Sequence, residues 1–373
     1  MIAADAVVVG GGPAGSACAG ALRAAGLDVV VMDRAVFPRD KVCAGWITPG
    51  VVETLRLDLE DYARTRVLQP ITRFRTGLIG QAAVETAYDR PVSYGILRCE
   101  FDAYLLGRCG ARVLGGAAVA RIERADGQWT LDGAVRAPLL VGAGGHFCPV
   151  ARHLGARRER DPVVAAQEIE LRLRPDQLRA MAARGDTPEL YFCRDLKGYG
   201  WVFLKEDRLN VGLGRLDRQA LGRHVAALRD FLIAQGRVPA DLPPRWKGHA
   251  YLLYQARRPR LVDDGVLLVG DAAGLAYPAS GEGIRPAIES GLMAAEVVVA
   301  ARGRHGRQDL EPYRRRLEAR FGRARAAPAL PIPAGLVEAA GRRLFRARWF
   351  ARRVVLDRWF LHVGEPALEL AAQ

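Results

Sequence analysis

Short apolar runs broken by glycine dominate both ends of the chain. Residues 6–9 (Ala-Val-Val-Val) form a run of β-type character, and residues 13–25 are alanine-rich, with Gly26 placed to stop a helix. Residues 29–32 form a second apolar run that ends in Asp33. The pattern predicts strand, tight turn, helix, strand and acidic residue. Far downstream, residues 266–269 read as a buried parallel strand ending in Gly270-Asp271, and residues 284–299 as a helix behind a glycine-rich turn. Between these regions the period changes. Residues 163–173 alternate, with Ile169, Leu171 and Leu173 on one face and Glu168, Glu170 and Arg172 on the other, which predicts a half-buried antiparallel strand with its acids toward solvent. Residues 201–204 and 209–213 flank Lys205-Glu206-Asp207-Arg208 and read as a hairpin.

The fold predicted is α/β. A Rossmann-like dinucleotide-binding domain is expected from residues 1–70, 95–160 and 255–303, interleaved with an antiparallel-sheet substrate domain from 71–94 and 161–254. Residues 304–373 follow as a basic helical region.

The chemistry sits where strands meet helices. In Gly10-x-Gly12-x-x-Gly15, Gly10 permits the turn and Gly12 lets the backbone approach a pyrophosphate. Gly15 lets helix and strand pack closely, and the helix start at Pro13-Ala14 offers N–H groups to an anion. Asp33 is placed to accept hydrogen bonds from a ribose, with Arg34 beside it. This fingerprint alone does not separate NAD from FAD. The second motif makes the choice: Gly270-Asp271-Ala272-Ala273-Gly274, then Pro278 and Gly281-Glu282-Gly283-Ile284. Asp271 suits ribityl or pyrophosphate-side hydroxyls, and Gly281 and Gly283 let N–H groups at a helix start reach a flavin carbonyl. The pair predicts bound FAD, and Val119 completes the expected cofactor-binding set.

Composition narrows the class. The chain has 373 residues, half of them apolar and 41 of them glycine, as expected of a packed enzyme rather than a disordered binder. No run of about 18 apolar residues could span a bilayer, and the N-terminal apolar run belongs to the first strand, so a cytoplasmic location is expected. Six cysteines at 18, 43, 99, 109, 148 and 193 contain no Cys-x-x-Cys pair, which predicts reduced thiols and no metal site. His146 and Cys148 lack a second ligand pair and read as structural, as does Cys18 within the first helix.

Net charge is +14, and residues 301–360 alone hold 16 arginines, no lysine and five acidic residues. Residues 344–361 interleave five arginines with Phe345, Trp349, Phe350, Trp359 and Phe360. Such an arm either lies in an anionic membrane surface or packs its aromatics on the protein while its arginines are solvated; the second is favoured. No nucleic-acid-binding module accompanies the charge.

Four segments carry a family resemblance: VVVGGGPAGSACA at the N-terminus, LRCEFDAYLL at 97–106, GYGWVFLKEDRLNVGLGR at 198–215 and LLVGDAAGLAYPASGEGI at 267–284. The chain resembles the FAD-dependent oxidoreductases with the aromatic-hydroxylase fold, and within them the geranylgeranyl reductase branch. The resemblance implies that Arg98 lies against the flavin and that Cys43, in Cys43-Ala44-Gly45, is the cysteine of a Cys-x-Gly-Gly motif and a candidate proton donor or gate. It implies that Tyr199, Trp201 and Phe203 border the substrate cavity as a Tyr-x-Trp-x-Phe-Pro motif.

Trp46 replaces the second glycine of the first motif and Leu204 the proline of the second, so a pocket of different shape is expected. Gly144-Gly145 stands where the hydroxylases carry Asp-Gly, which weakens a hydroxylase reading, and the halogenase Trp-x-Trp-x-Ile-Pro motif is missing. The implied activity is reduction of carbon–carbon double bonds in an isoprenoid or other apolar substrate, one with an anionic head suiting the basic arm. The reductant is NADPH or NADH as a transient visitor, since there is no second glycine fingerprint. The alternatives are a flavin monooxygenase acting on an aromatic or polyketide-like substrate, and a lipid- or RNA-binding protein with structural FAD.

Overall fold

Segments with no polar position cannot lie at a surface, and the valine-rich runs occupy the centre of a six-stranded sheet. Its order is Val262–Asp263, Val266–Leu268, Leu139–Gly142, Ala6–Val9, Val29–Asp33 and Arg112–Gly115. All neighbours are parallel except the first pair. This is a computed structural model, and it describes residues 1–156, 163–216, 220–254, 260–322 and 334–369. The expected domain boundaries near 160 and 255 lie outside the described residues.

Helices Pro13–Ala24 and Ile284–Ala300 pack together on this sheet. A Cβ at Gly291 would fall 2.3 Å from the Ala14 carbonyl oxygen, so only glycine allows the contact. Residues separated by most of the chain thereby form one nucleotide-binding layer. A smaller sheet of Ile2–Ala3, Val135–Ala137, Gln128–Leu131 and Ile122–Ala125 shares its core through Trp129, Leu131 and Val135.

The second large sheet has seven strands in the order Lys247–Leu252, Val163–Arg172, Arg208–Arg215, Gly198–Lys205, Glu189–Phe192, Arg73–Leu78 and Val84–Ala87. Helix Leu221–Ala234 covers one face with Leu221, Val225, Leu228 and Leu232. The strand at Val163–Arg172 forms as expected, and Glu170 and Arg172 keep their exposure, but Glu168 does not face solvent. Register aligns Glu168 with Gly212 and Trp201, and Glu170 with Asn210 and Phe203, all on the face opposite that helix. Glu168 is buried and Glu170 bonds to Lys205. At Glu168 both sheet faces are covered, so alternation there separates two interiors, whereas Glu170 and Arg172 nearer the strand end stay exposed. Lys205 likewise leaves the expected turn. It ends the strand Gly198–Lys205, fully buried, and its Nζ donates to the Ala44 and Ile96 carbonyls and to Glu170.

The C-terminal arm closes that face. Phe345, Phe350, Val355, Leu356 and Phe360 pack against Phe74, Phe192 and Phe203 of the sheet, while Trp349 stays exposed. Phe350–Phe360 winds as a π-helix, pinned where Arg352 donates to the Ala87 carbonyl and lies over the Tyr88 ring, whose hydroxyl donates to Asp357.

Candidate active site

Between the parallel sheet and the seven-stranded sheet runs a cavity of about 740 Å³. Gly10, Gly12, Pro13, Ala14, Asp33 and Arg34 line one end, and Asp271, Gly281, Gly283 and Ile284 converge on it from the downstream motif, with Val119 alongside. Gly15 and Gly270 are not in the wall; they serve packing. A Cβ at Gly15 would lie 1.8 Å from the Gly10 carbonyl oxygen, and one at Gly270 would lie 2.9 Å from the Ala14 Cβ.

Asp33 accepts from the Gly11 and Ala35 N–H groups at 2.7 and 2.8 Å, which fixes its carboxylate at the strand end with lone pairs to spare. Gly12 caps its helix with no side-chain hydrogen bond, so that helix start keeps N–H groups for an anion, whereas at the start of Ile284–Ala300 the Arg285 N–H donates to Glu282 at 3.4 Å. Glycine floor, ribose acceptor and the uncapped first helix start together fit a flavin dinucleotide.

Further in, Asp102 is completely buried and bidentate with Arg98, each bond 2.9 Å, and also pairs with Arg39 at 3.0 Å. Arg98 and Cys43 line the same stretch of the cavity. The loop carrying Cys43 is tied to the sheet: Asn210 Nδ2 donates to the Cys43 carbonyl at 3.1 Å and Gly45 N–H donates to its sulfur at 3.5 Å.

Sequence reasoning missed several titratable groups here. Lys41 and His249 share a wall, Nζ to Nε2 2.6 Å. Burial pulls Lys41 down to about 8 against the opposing pull of Asp271, and burial with Lys41 nearby pulls His249 down to about 3. Burial pushes Glu168 up to about 7 even though the Cys43 backbone N–H stabilises its charge. Burial likewise pushes Glu282 up to about 7, countered by His362. Lys41 and His249 belong to no glycine motif, whereas Glu168 stood on the polar face of an alternating strand, and at that one position the face meets an interior.

The far end is apolar. Tyr199, Trp201 and Phe203 all line it, because alternation along Gly198–Lys205 sends them to the face away from Leu228. Trp201 Nε1 donates to Asn210 at 2.7 Å, the Tyr199 hydroxyl donates to the Ser280 carbonyl, and a Cβ at Gly212 would lie 2.2 Å from the Trp201 ring. Trp46 stacks on Phe360 with ring centres 5.7 Å apart and packs beside Phe74 and Phe203. The residue standing in the second-glycine position therefore forms an end wall with the C-terminal arm. Among the described residues no group of side chains could hold a metal ion, and all six cysteines are free thiols.

Residues 3–66 match a family described as FAD binding domain. Over 327 residues the chain is 32% identical to a menaquinone reductase of Mycobacterium tuberculosis, spanning 79% of this chain and 76% of that protein. It is also 32% identical over 343 residues to a chloroplastic geranylgeranyl diphosphate reductase of Oryza sativa, spanning 85% and 71%. A solved geranylgeranyl bacteriochlorophyll reductase-like structure from Thermoplasma acidophilum superposes with a TM-score of 0.73 at 21% identity, covering 93% of this chain and 89% of that one, and so shares the fold.

Proposed function

This chain belongs to the FAD-dependent oxidoreductases of the geranylgeranyl and menaquinone reductase group, and from that premise we propose that it reduces carbon–carbon double bonds of an isoprenoid or similarly apolar substrate. The observation that carries the reading is the continuity of one cavity from a dinucleotide cradle, past Cys43, into a pocket walled by Trp46, Tyr199, Trp201, Phe203 and Phe360. When bound, FAD supplies hydride that it has received from NADPH or NADH.

The chain's own residues do the rest. The first glycine turn and its helix start would hold the diphosphate, the turn at Gly281 and Gly283 would reach a flavin carbonyl, and Asp33 would hold the ribose. Arg98, fixed by Asp102, orients the Cys43 loop against the cofactor. The aromatic walls exclude water and take up the apolar chain. Reduction adds a hydride to one alkene carbon and a proton to its neighbour. We assign that proton to Cys43, which lines the cavity between the cradle and the aromatic pocket.

The test is anaerobic. Holoprotein is reduced with dithionite, mixed with prenyl compounds or aromatic acids, and followed at the flavin band. Reoxidation by a prenyl substrate without oxygen, with a product two hydrogens heavier, is expected. Reoxidation that requires oxygen and yields a hydroxylated product would overturn the reading in favour of a monooxygenase.

A further inference from the structure

The outer side of the C-terminal arm carries exposed apolar and basic side chains together. On and just after helix Ala334–Leu344, Leu336 is 62% exposed and Trp349 59%, with Leu344 also exposed. Arg342, Arg343, Arg346 and Arg348 stand exposed among them. Among the described residues these four form no ion pair, whereas Arg314, Arg316 and Arg320 of the preceding helix pair with Glu311, Glu296 and Glu289.

A second segment joins the same surface. Leu196 sits at a loop tip in the left-handed region, φ 55°, exposed, with Arg194 and Lys197 beside it. Its side chain lies 3.6 Å from where a Cβ at Gly341 would stand.

From this surface we infer that the arm docks the protein on an anionic membrane, with the aromatic end of the cavity facing the bilayer. The inference rests on the proposed apolar substrate only for its purpose; the surface itself stands on charge and exposure. Solvation alone accounts for the arginines but leaves Trp349, Leu336, Leu344 and Leu196 in water beside them. An anionic interface satisfies both sets: basic groups meet lipid headgroups while a Trp and leucines enter the headgroup boundary. No helix among the described residues is long and apolar enough to cross a membrane, so the contact is peripheral.

The surface also lies one aromatic layer from the cavity. Phe345, on the inner side of the arm, packs on Phe192 with ring centres 4.6 Å apart. Phe192 packs on Tyr199 at 5.5 Å and on Phe360 at 6.3 Å, and both of these line the cavity. A lipid-borne substrate would enter beneath the docked arm.

Holoprotein is sedimented with vesicles of phosphatidylcholine alone or mixed with phosphatidylglycerol, while tryptophan emission is recorded. Binding to the anionic vesicles only, weakened by salt and accompanied by a blue shift, is expected. Arg346→Gln and Arg348→Gln should each lower partitioning about fivefold, and Trp349→Ser should lower it and remove most of the blue shift. All three variants should keep full flavin content and unchanged reoxidation of reduced flavin by a detergent-dispersed substrate. No vesicle binding, equal binding to neutral vesicles, unchanged partitioning of the variants, or stronger binding to RNA than to vesicles would each overturn the inference. Vesicle binding is read without turnover, so failure of the proposed reaction and failure of the docking surface are separable.

Discussion

Lys41 is a cation in a cavity built for an anion, and its charge state follows from burial. Held down to about 8, it is an ammonium below that pH and a neutral amine above it. FAD carries a diphosphate, so the charged form favours binding, and binding above about pH 8 must take up a proton. Affinity of the apoprotein for FAD is therefore expected to fall as pH rises through about 8. Lys41→Met should weaken binding at pH 7 by about tenfold, the scale of one charged hydrogen bond, and should flatten the profile around pH 8. Flavin fluorescence titration across pH checks this, and a wild-type profile that is level between pH 7 and 9 would count against it. At this scale the glycines were legible because each answers a backbone requirement; a Cβ at Gly10 would fall 2.4 Å from the Ala143 carbonyl oxygen. Lys41 and His249 answer no such local requirement. They matter because a loop and a strand 208 positions apart converge.

The strand Gly198–Lys205 shows how an element carries both chemistry and stability. Tyr199, Trp201 and Phe203 line the cavity, and the next residue on that face, Lys205, bolts the strand to the Cys43 loop and to Ile96. Lys205→Met would leave two carbonyls without their donor and Glu170 without its cation. Because Glu170 is partly exposed, a loss of about 2–4 kcal/mol is expected, below the full cost of breaking a wholly buried pair. Urea denaturation measures it, and a change under about 1 kcal/mol would show that the lysine is not the bolt described. The hairpin was readable from alternation, but its turn was drawn too wide. A charged run reads as solvent-facing unless the opposite layer is known, and that layer supplies the Ala44 and Ile96 carbonyls which, with Glu170 of the same sheet, make a buried ammonium tolerable.

Across the whole molecule, residues from early and late in the sequence meet at the aromatic end of the cavity. Trp46 stacks on Phe360, and Glu282 of the downstream glycine turn faces His362 of the tail. The pocket length is thus set by a pair of rings from early and late in the sequence. Trp46→Gly, which restores the glycine of the related motif, is expected to extend the pocket and raise kcat/KM for longer prenyl chains relative to short ones, at a stability cost of about 3 kcal/mol. Phe360→Ala should move selectivity the same way. A chain-length series with both variants tests this, and unaltered selectivity in both would mean that the substrate does not reach the stacked rings.

The sequence by itself determined the nucleotide-binding layer and the glycine cradle. A turn that needs positive φ, a close helix contact and a wholly apolar strand are local demands that residue type alone can meet, as Gly10, Gly15 and residues 6–9 do. Trp46 was visible as a departure from a motif. Only the tertiary structure decided that its partner is Phe360, that Glu168 faces an interior and that Lys41 lies against His249. Burial, charge state and cavity shape are properties of surfaces brought together, and each of these pairs joins residues that no periodicity or spacing along the chain connects.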